Sequence, residues 1–476
     1  MMSLVKQKHF LLFVLFVIFG FFSLRNQWMP LEGVHKIRQA DTLFTGLSYC
    51  KEGSSFFEPK IIQRGLNPGI SIGELPVFSY LISLPCKMTG TWTESFPKLF
   101  NFFFLLLGIL VWYQVLCLIL KRKISFLYFA TFYFFSTNSA VHYQIPIPDH
   151  FALFVMGSCF YLEFLLRDQK SSFATSAAQI MIPLLFCVGF LMRPYLIPLI
   201  ALFLFPIRWN FRSLFHTTLL ASLFLSIAGY FLWYKWWAPN HSTLSYYNTI
   251  LLAPSEVLAQ WRGILQGLYE QFLRSYLNFI GLFLLLAYLF QKKKFFKTER
   301  TTDYLFILAL LSYLFVVMIK GDHGSRHGYY FSAFFIYLTM SLTLMTEMLV
   351  SEKFKNFIVY GFVLVGIANS QHYFHGKFQP YFNELLQLRD QIPEDALVAT
   401  YAATESNDPV ELYVLQRVGI AYARTDLPSQ IQNAIATSGA NQEISEQLCP
   451  RRINYLLIGF AEPVLGKHYQ LIKCKM

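Results

Sequence analysis

Apolar runs long enough to cross a bilayer recur along this chain of 476 residues, separated by short polar segments. A perpendicular transmembrane helix needs about 20 such residues. The pattern predicts eleven spans, near residues 9–24, 97–120, 124–141, 149–166, 175–192, 195–206, 212–234, 274–290, 303–319, 328–349 and 355–372. The run at 195–206 is short, and residues 73–88 are apolar enough for a re-entrant or interfacial helix in the first external loop. We therefore expect an α-helical polytopic membrane protein.

The first apolar run is typical of a signal anchor that is retained. Residues 10–24 consist largely of Phe, Leu, Val and Ile and lack a small-residue cleavage site. The whole chain is 55% hydrophobic and 14% charged, a composition well outside that of soluble domains.

The net charge of +12 follows from membrane topology and does not indicate nucleic-acid binding. Basic residues cluster between the apolar runs, where the positive-inside rule places the cytoplasm. This assignment leaves the first external loop at 25–96, a second long loop at 235–273 and everything after about 373 outside. We predict a bacterial inner-membrane protein with a cytoplasmic amino terminus and a periplasmic or extracellular carboxyl terminus.

The character of the chain changes after about residue 375, where polar residues replace the Phe-rich spans. Runs at 396–400 and 453–460 predict buried strands. Asp408 and Pro409 predict the start of a helix over 411–418 that Gly419 ends, and 429–438 predicts another helix. We expect a transmembrane domain over 1–375 and a small soluble α/β domain over 376–476.

Four of the seven cysteines fall outside the predicted spans. On the external face of a membrane they can form two disulfides. Pairing within a region favours Cys50 with Cys86 and Cys449 with Cys474, and free thiols are the alternative.

The first external loop contains the first candidate for chemistry. Arg38 and Asp41 share a face if residues 34–48 are helical, and Glu74 follows later in the loop. Such a pair can be an ordinary surface contact. It can also orient Asp41 as a general base that accepts a proton from a substrate hydroxyl.

Two short external segments carry further polar residues. Asp149 and His150 follow two prolines at the start of a span, where Asp149 can be an N-cap or a functional acid. Arg193 interrupts an apolar stretch; it either extends its charge to the membrane surface or binds an anion.

The segment 320–327 is rich in glycine and in cationic side chains. A phosphate at the level of the lipid headgroups needs such donors, and non-specific contact with bulk lipid phosphate is the other interpretation. The candidate residues are Lys320, His323, Arg326 and His327.

These motifs, in this order, resemble the GT-C superfamily of polytopic glycosyltransferases. The similarity is to its bacterial branch, which includes protein-mannosyltransferase-like and aminoarabinose-transferase-like enzymes. The most specific motif is His-x-x-Arg-Gln-Ala-Asp-Thr at 35–42. The others are Glu74-Leu75-Pro76 with Tyr80, Pro148-Asp149, Arg193-Pro194-Tyr195, Arg326-His327, and Asp408-Pro409 through Leu412-Tyr413 to Arg417-x-Gly419.

The resemblance implies an inverting transferase that moves a sugar from a polyprenyl-phosphate donor to a hydroxyl on the external face. Asp41 would be its catalytic base. Glu74 would be a second acid that helps to bind the acceptor or a metal, and Arg38, Asp149 and His150 would belong to the same group. Arg193, Lys320, His323, Arg326 and His327 would bind the donor phosphate.

The first loop departs from the protein mannosyltransferases, because Asp41 is followed by Thr42 and not by a glutamate. We therefore expect a lipid-linked glycan or lipopolysaccharide-type acceptor at least as readily as a protein. No dedicated metal motif is visible, and the binding of a divalent metal is left as an open alternative. The alternative functions are an O-antigen or polysaccharide polymerase, a transporter of lipid-linked sugars, and a receptor that lacks catalysis.

Overall fold

The structure is a computed structural model, and the segments that it describes form two compact units. The described residues are 36–62, 69–71, 73–136, 145–166, 173–204, 214–242, 255, 259–295, 300–326, 328–371, 379–401, 410–422, 449, 453–464 and 467–474. The membrane unit comprises residues 1–27, 98–236 and 248–373. The second unit comprises residues 28–97, 237–247 and 374–476 and is called the loop unit here. The predicted domain boundary at 375/376 stays a prediction.

The membrane unit is a bundle of apolar helices. Its helices in chain order are Ser95–Leu120, Phe126–Phe135, Asp149–Leu166, Phe173–Met192, Leu214–Tyr230, Trp261–Gly267, Asn278–Phe295, Arg300–Arg326, Ser332–Met348 and Glu352–Gln371. Tighter 3₁₀ turns form Pro194–Leu204 and Gly328–Phe331, and wider π-helical stretches form Phe231–Trp237 and Leu268–Leu277. A short α-helix, Ala238–His241, follows at the start of the loop unit.

Four of the described helices are long and apolar enough to cross a membrane: Ser95–Leu120, Asp149–Leu166, Trp261–Phe290 and Arg300–Gly321. Large apolar side chains such as Phe224, Phe290 and Met318 are more than 60% exposed, as expected of surfaces that face lipid. The chain is thus a multi-pass membrane protein. The count of eleven spans stays a prediction, and its first span at 9–24 lies outside the described residues.

Two of the spans run side by side in the same direction. Asn101 donates a hydrogen bond to the Ile145 carbonyl at 2.8 Å, and the rings of Phe104 and Phe151 are 4.7 Å apart. Further along, Trp112 Nε1 donates to the Leu153 carbonyl at 2.9 Å. The amino ends of helices Ser95–Leu120 and Asp149–Leu166 therefore lie at the same end of the membrane unit.

The predicted glycine-rich loop at 320–327 is helical over most of its length, so this expectation was wrong. The helix continues to Arg326 with one break at Gly321, whose φ of 55° and ψ of −138° are non-helical. Glycine adopts a positive φ at no steric cost, and the chain can thus turn there and resume a helix.

The loop unit contains two helices of the first external loop, Lys36–Lys51 and Val77–Thr89. We call the first one the Asp41 helix. A disulfide between Cys50 and Cys86 joins the two helices, and a second disulfide joins Cys449 to Cys474. Both predicted pairings are confirmed. Disulfides persist in oxidising compartments, which supports an external location for these segments.

The carboxyl-terminal segment forms a four-stranded sheet in the order β2-β1-β3-β4. The strands are β1 Val398–Tyr401, β2 Gly419–Tyr422, β3 Tyr455–Val464 and β4 Lys467–Lys473. β1 is parallel to both β2 and β3, and β3 is antiparallel to β4. The helices Gln379–Arg389 and Val410–Leu415 complete the described part of this α/β domain.

The helix predicted over 411–418 is shorter than expected. It spans Val410–Leu415, and Gln416 ends it with a left-handed φ of 53°. The Arg417 guanidinium then donates to the carbonyls of Leu415 and Ile392. Gly419, the predicted terminator, is the first residue of β2. The predicted helix at 429–438 lies outside the described residues.

The disulfides predict how many thiols react with a maleimide. Cys117, Cys159 and Cys187 are free, and the other four of the seven cysteines are paired. Denatured protein should take up three maleimide groups without reductant and seven after reduction, as counted by intact mass. Five or seven groups without reductant would show that at least one disulfide is absent.

Candidate active site

Asp41 lies in the second turn of the Asp41 helix and is only 6% exposed. All residues of this helix from Gln39 to Tyr49 are buried, polar ones included, which fixes its rotation about its own axis. The buried apolar residues are Ala40, Leu43, Phe44 and Leu47. The sequence thus places one carboxylate in a largely apolar surface, where solvation alone does not account for it.

Arg38 and Glu74 form an ion pair next to Asp41. Their side chains are 19% and 21% exposed, so water screens this pair only in part. Because residues 36–51 are one helix, Arg38 and Asp41 are one turn apart, as predicted. The structure therefore brings three candidate residues of the first loop together. The partnership between Arg38 and Glu74 was not predicted.

Hydroxyl groups fix the backbone around Asp41. Thr42 Oγ1 donates to the Arg38 carbonyl at 2.8 Å, one turn back along the helix. Ser79 Oγ donates to the Thr42 carbonyl at 3.2 Å from helix Val77–Thr89. The turn that carries Asp41 is thus attached to the helix that follows Glu74.

A second cluster lies in the membrane unit, where Arg193 and Asp149 form a buried ion pair. Arg193 Nη2 lies 2.5 Å from Asp149 Oδ2, and the two side chains are 2% and 3% exposed. His150 beside them is 3% exposed. Arg193 is therefore not extended to the surface, and the snorkelling interpretation was wrong. Asp149 is the first residue of its helix, and its carboxylate binds this cation.

Lys98 belongs at the same end of the membrane unit and was missed by sequence reasoning. It is 3% exposed and lies one turn before Asn101. The Asn101 side chain donates to the carbonyl of Ile145, which is four residues before Asp149. A lone lysine inside the predicted 97–120 span was the available signal, because a buried ammonium group in a membrane helix needs a specific reason.

Lys320 adds a third cation to this end. Its Nζ lies 5.9 Å from the ring centre of Tyr195 and 5.8 Å from that of Tyr330. The two rings are 4.4 Å apart in an edge-to-face arrangement. Since Tyr195 is two residues from Arg193, Lys320 lies near the buried ion pair.

Three basic side chains thus lie at this end of the membrane unit. They are Lys98, Arg193 and Lys320, and Arg193 is paired with Asp149. In a low-dielectric environment clustered cations favour an anion. The site can hold a phosphate group.

The remaining predicted residues cannot be assigned contacts. The side chains of His323 and Arg326, and the whole of His327, lie outside the described residues. In the described part of the chain no group of three His, Cys, Asp or Glu residues could hold a metal ion. Glu74, the candidate metal ligand, is bound to Arg38 instead.

The helical membrane unit, with its buried charged end, is that of a polytopic membrane protein, and its fold is found in solved structures. ArnT from Cupriavidus metallidurans has a similar structure. Its apo form has a TM-score of 0.59 at 10% identity, over 96% of this chain and 93% of that chain. Its form bound to undecaprenyl phosphate has a TM-score of 0.57 at 10% identity, over 93% of this chain and 92% of that chain.

An archaeal protein shares the same fold. The oligosaccharyltransferase from Archaeoglobus fulgidus has a TM-score of 0.50 at 13% identity, over 94% of this chain and 69% of that chain. No protein-family model matches the chain, and no curated protein matches it in sequence. The resemblance to GT-C proteins is therefore confirmed at the level of the fold.

The buried ion pair predicts a strongly non-additive double-mutant cycle. Arg193→Met alone leaves the Asp149 carboxylate buried without its cation, and we expect it to cost about 3–5 kcal/mol of stability. Asp149→Asn in the same background should recover part of that loss, with a coupling of about 1–3 kcal/mol. Thermal unfolding of the detergent-solubilised variants measures both quantities. Additive losses would show that the two side chains act independently.

Proposed function

We propose that the protein is an inverting glycosyltransferase of the GT-C type that transfers a sugar from a polyprenyl-phosphate donor to a hydroxyl group of a lipid-linked or lipopolysaccharide-type glycan. The observation that carries the proposal is the cluster of three basic side chains, two of them buried, at one end of the membrane unit. Lys98, Arg193 and Lys320 supply the charge that a phosphate leaving group needs.

The carrier lipid is inferred from fold and charge together. ArnT from Cupriavidus metallidurans, which shares the fold, was crystallised with undecaprenyl phosphate. A long apolar chain with one phosphate group suits a site where buried cations meet a surface made of membrane helices. We assign the donor to this class of lipid, and the identity of its sugar is left open.

In the proposed reaction, the acceptor hydroxyl attacks C1 of the donor sugar while the bond from C1 to the phosphate oxygen breaks. The hydroxyl proton passes to the carboxylate of Asp41, and the bonding electrons leave with the polyprenyl phosphate. Inversion requires the base on one side of C1 and the stabilised leaving group on the other. The released phosphate carries one more negative charge than the donor, and the three cations stabilise it.

The other candidate residues act by positioning. Arg38 holds Glu74 through their ion pair, next to the turn that bears Asp41. Asp149 holds Arg193, so that the guanidinium keeps a fixed place at the phosphate site. His323, Arg326 and His327 complete the phosphate site on the basis of their sequence positions, and His150 is assigned to acceptor binding.

Asp41→Asn tests the base directly. The amide has nearly the same shape but cannot accept the proton, so we expect kcat to fall by about 10²–10⁴-fold. Binding of polyprenyl phosphate should be unchanged. Glu52→Gln is the matched control, because Glu52 is an exposed acid of the same loop that pairs with Lys60. Full activity of Asp41→Asn would eliminate Asp41 as the base, and a transporter or receptor would tolerate the change.

Lys98→Gln and Lys320→Gln test the phosphate site. Each removes one charged donor, and we expect the Kd for polyprenyl phosphate to rise about tenfold or more. Lys98→Arg should retain most of the affinity because it keeps the charge. Lys355→Gln serves as the control, since Lys355 pairs with Glu352 at i,i+3. Unchanged binding in both glutamine variants would place the phosphate elsewhere.

A further inference from the structure

We propose that Trp92 and Tyr413 form a brace through which the carboxyl-terminal α/β domain fixes the position of the Asp41 helix. Trp92 and Tyr413 are thus positioning residues, and neither needs to touch the substrate. The catalytic part of this proposal rests on the role given to Asp41 above, whereas its structural part can be tested without any activity. All of the residues concerned lie within the loop unit.

Trp92 packs directly against the Asp41 helix at Gly46. A Cβ atom added at position 46 would lie 2.8 Å from Cη2 of Trp92 and 3.1 Å from the side chain of Ile82. These separations are shorter than ordinary van der Waals contact, so the indole occupies the space that any larger side chain at position 46 would need. Glycine is required at this position by close packing.

Tyr413 holds the indole from the other side. Trp92 Nε1 donates a hydrogen bond to Tyr413 Oη at 3.4 Å. The phenol also makes a side-chain hydrogen bond with Glu94, two residues after Trp92. Burial raises the pKa of Tyr413 well above its usual value, and the charge of Glu94 adds to the increase. Tyr413 therefore stays neutral, and its hydroxyl can accept a hydrogen bond from Trp92 while it donates one to Glu94.

The helix that carries Tyr413 is itself firmly anchored. Val410–Leu415 packs against the Asp41 helix on one side and against β1, β2 and helix Gln379–Arg389 on the others. Tyr413 is completely buried, as are Leu412 and Leu415. Beyond the helix, Arg417 binds the carbonyls of Ile392, Leu415 and Arg389. A displacement of Tyr413 thus requires the domain to move with it.

The brace acts close to the proposed base. Gly46 follows Asp41 by five residues, which is about 7.5 Å along a helix. The Cys50–Cys86 disulfide holds the carboxyl end of the Asp41 helix, and Ser79 holds the turn at Thr42. Trp92 supports the section between these two attachments. Its loss should let the helix shift or rotate, and misplacement by about 1 Å can cost about 10²-fold in rate.

Hydrogen exchange of the intact, substrate-free protein tests the structural part. Tyr413→Phe removes both hydrogen bonds of the phenol and keeps its ring. We expect the amides of residues 42–50 to exchange about tenfold faster. Tyr455→Phe, a half-buried tyrosine of β3, is the control and should leave them unchanged. Equal protection in wild type and Tyr413→Phe would overturn the brace, whatever the enzyme's activity.

A double-variant experiment tests the catalytic part. Gly46→Ala should lower kcat about ten- to hundredfold, because the methyl group displaces Trp92 and with it the Asp41 helix. Trp92→Phe removes the ring atom that contacts Gly46 and the Nε1 donor to Tyr413, so it should also lower kcat, and the double variant should be no slower than the slower single variant. The KM for the donor should not change, and the acid limb of the pH profile of kcat should move in Tyr413→Phe but not in Tyr455→Phe.

The outcomes separate the brace from the function. If the losses of kcat in Gly46→Ala and Trp92→Phe multiply in the double variant, the two residues act independently and the catalytic part of the brace is rejected. Amide exchange of residues 42–50 could become faster in Tyr413→Phe while Asp41→Asn keeps full activity. In that case the structural part of the brace is supported, and Asp41 is rejected as the base. A donor KM that rises together with the loss of kcat would indicate a general defect in folding and would also count against the brace.

Discussion

The cost of burying charge in an apolar chain governs this structure. Asp149 and Arg193 are almost fully buried, and each can remain ionised there because the other is within 2.5 Å. Lys98 and Lys320 bring further positive charge to the same end of the membrane unit. Charge inside a membrane protein is costly and needs a specific reason. The stability of the membrane unit and the proposed function therefore draw on the same few side chains.

The loop unit solves a different problem, which is to hold one short helix in a defined orientation. A helix of 16 residues is marginal on its own in water. Here three contacts attach it: the Cys50–Cys86 disulfide, the hydrogen bond from the Ser79 hydroxyl, and the packing of Trp92 at Gly46. The carboxyl-terminal α/β segment contributes Tyr413, which binds Trp92. In the proposed brace, this segment and the first loop therefore hold the Asp41 helix together.

Local patterns predicted local features well. Apolar runs predicted the membrane helices, and the helix on which the shared face of Arg38 and Asp41 depended is present. Regional grouping of the cysteines predicted both disulfides. The partners in the ion pairs were not predictable in this way. The pairings of Arg38 with Glu74 and of Arg193 with Asp149 depend on how helices pack, which periodicity does not encode.

Two errors have physical causes that a single sequence hides. Gly321 and Gly324 predicted a loop, yet only Gly321 breaks the helix. Gly419 was predicted to end a helix, yet Gln416 ends it with a left-handed φ, and Arg417 binds the carbonyl of Leu415 in the last turn. Lys98 was overlooked because a base at the edge of a span usually extends to the surface, and here it is buried.

The most direct test of the central claim is the release of polyprenyl phosphate by the purified protein from a panel of polyprenyl-phosphate sugars, with and without divalent metal. A glycosyltransferase of the proposed type releases one polyprenyl phosphate for each sugar joined to an acceptor glycan, with the anomeric configuration inverted. No release from any donor under either condition would contradict the account.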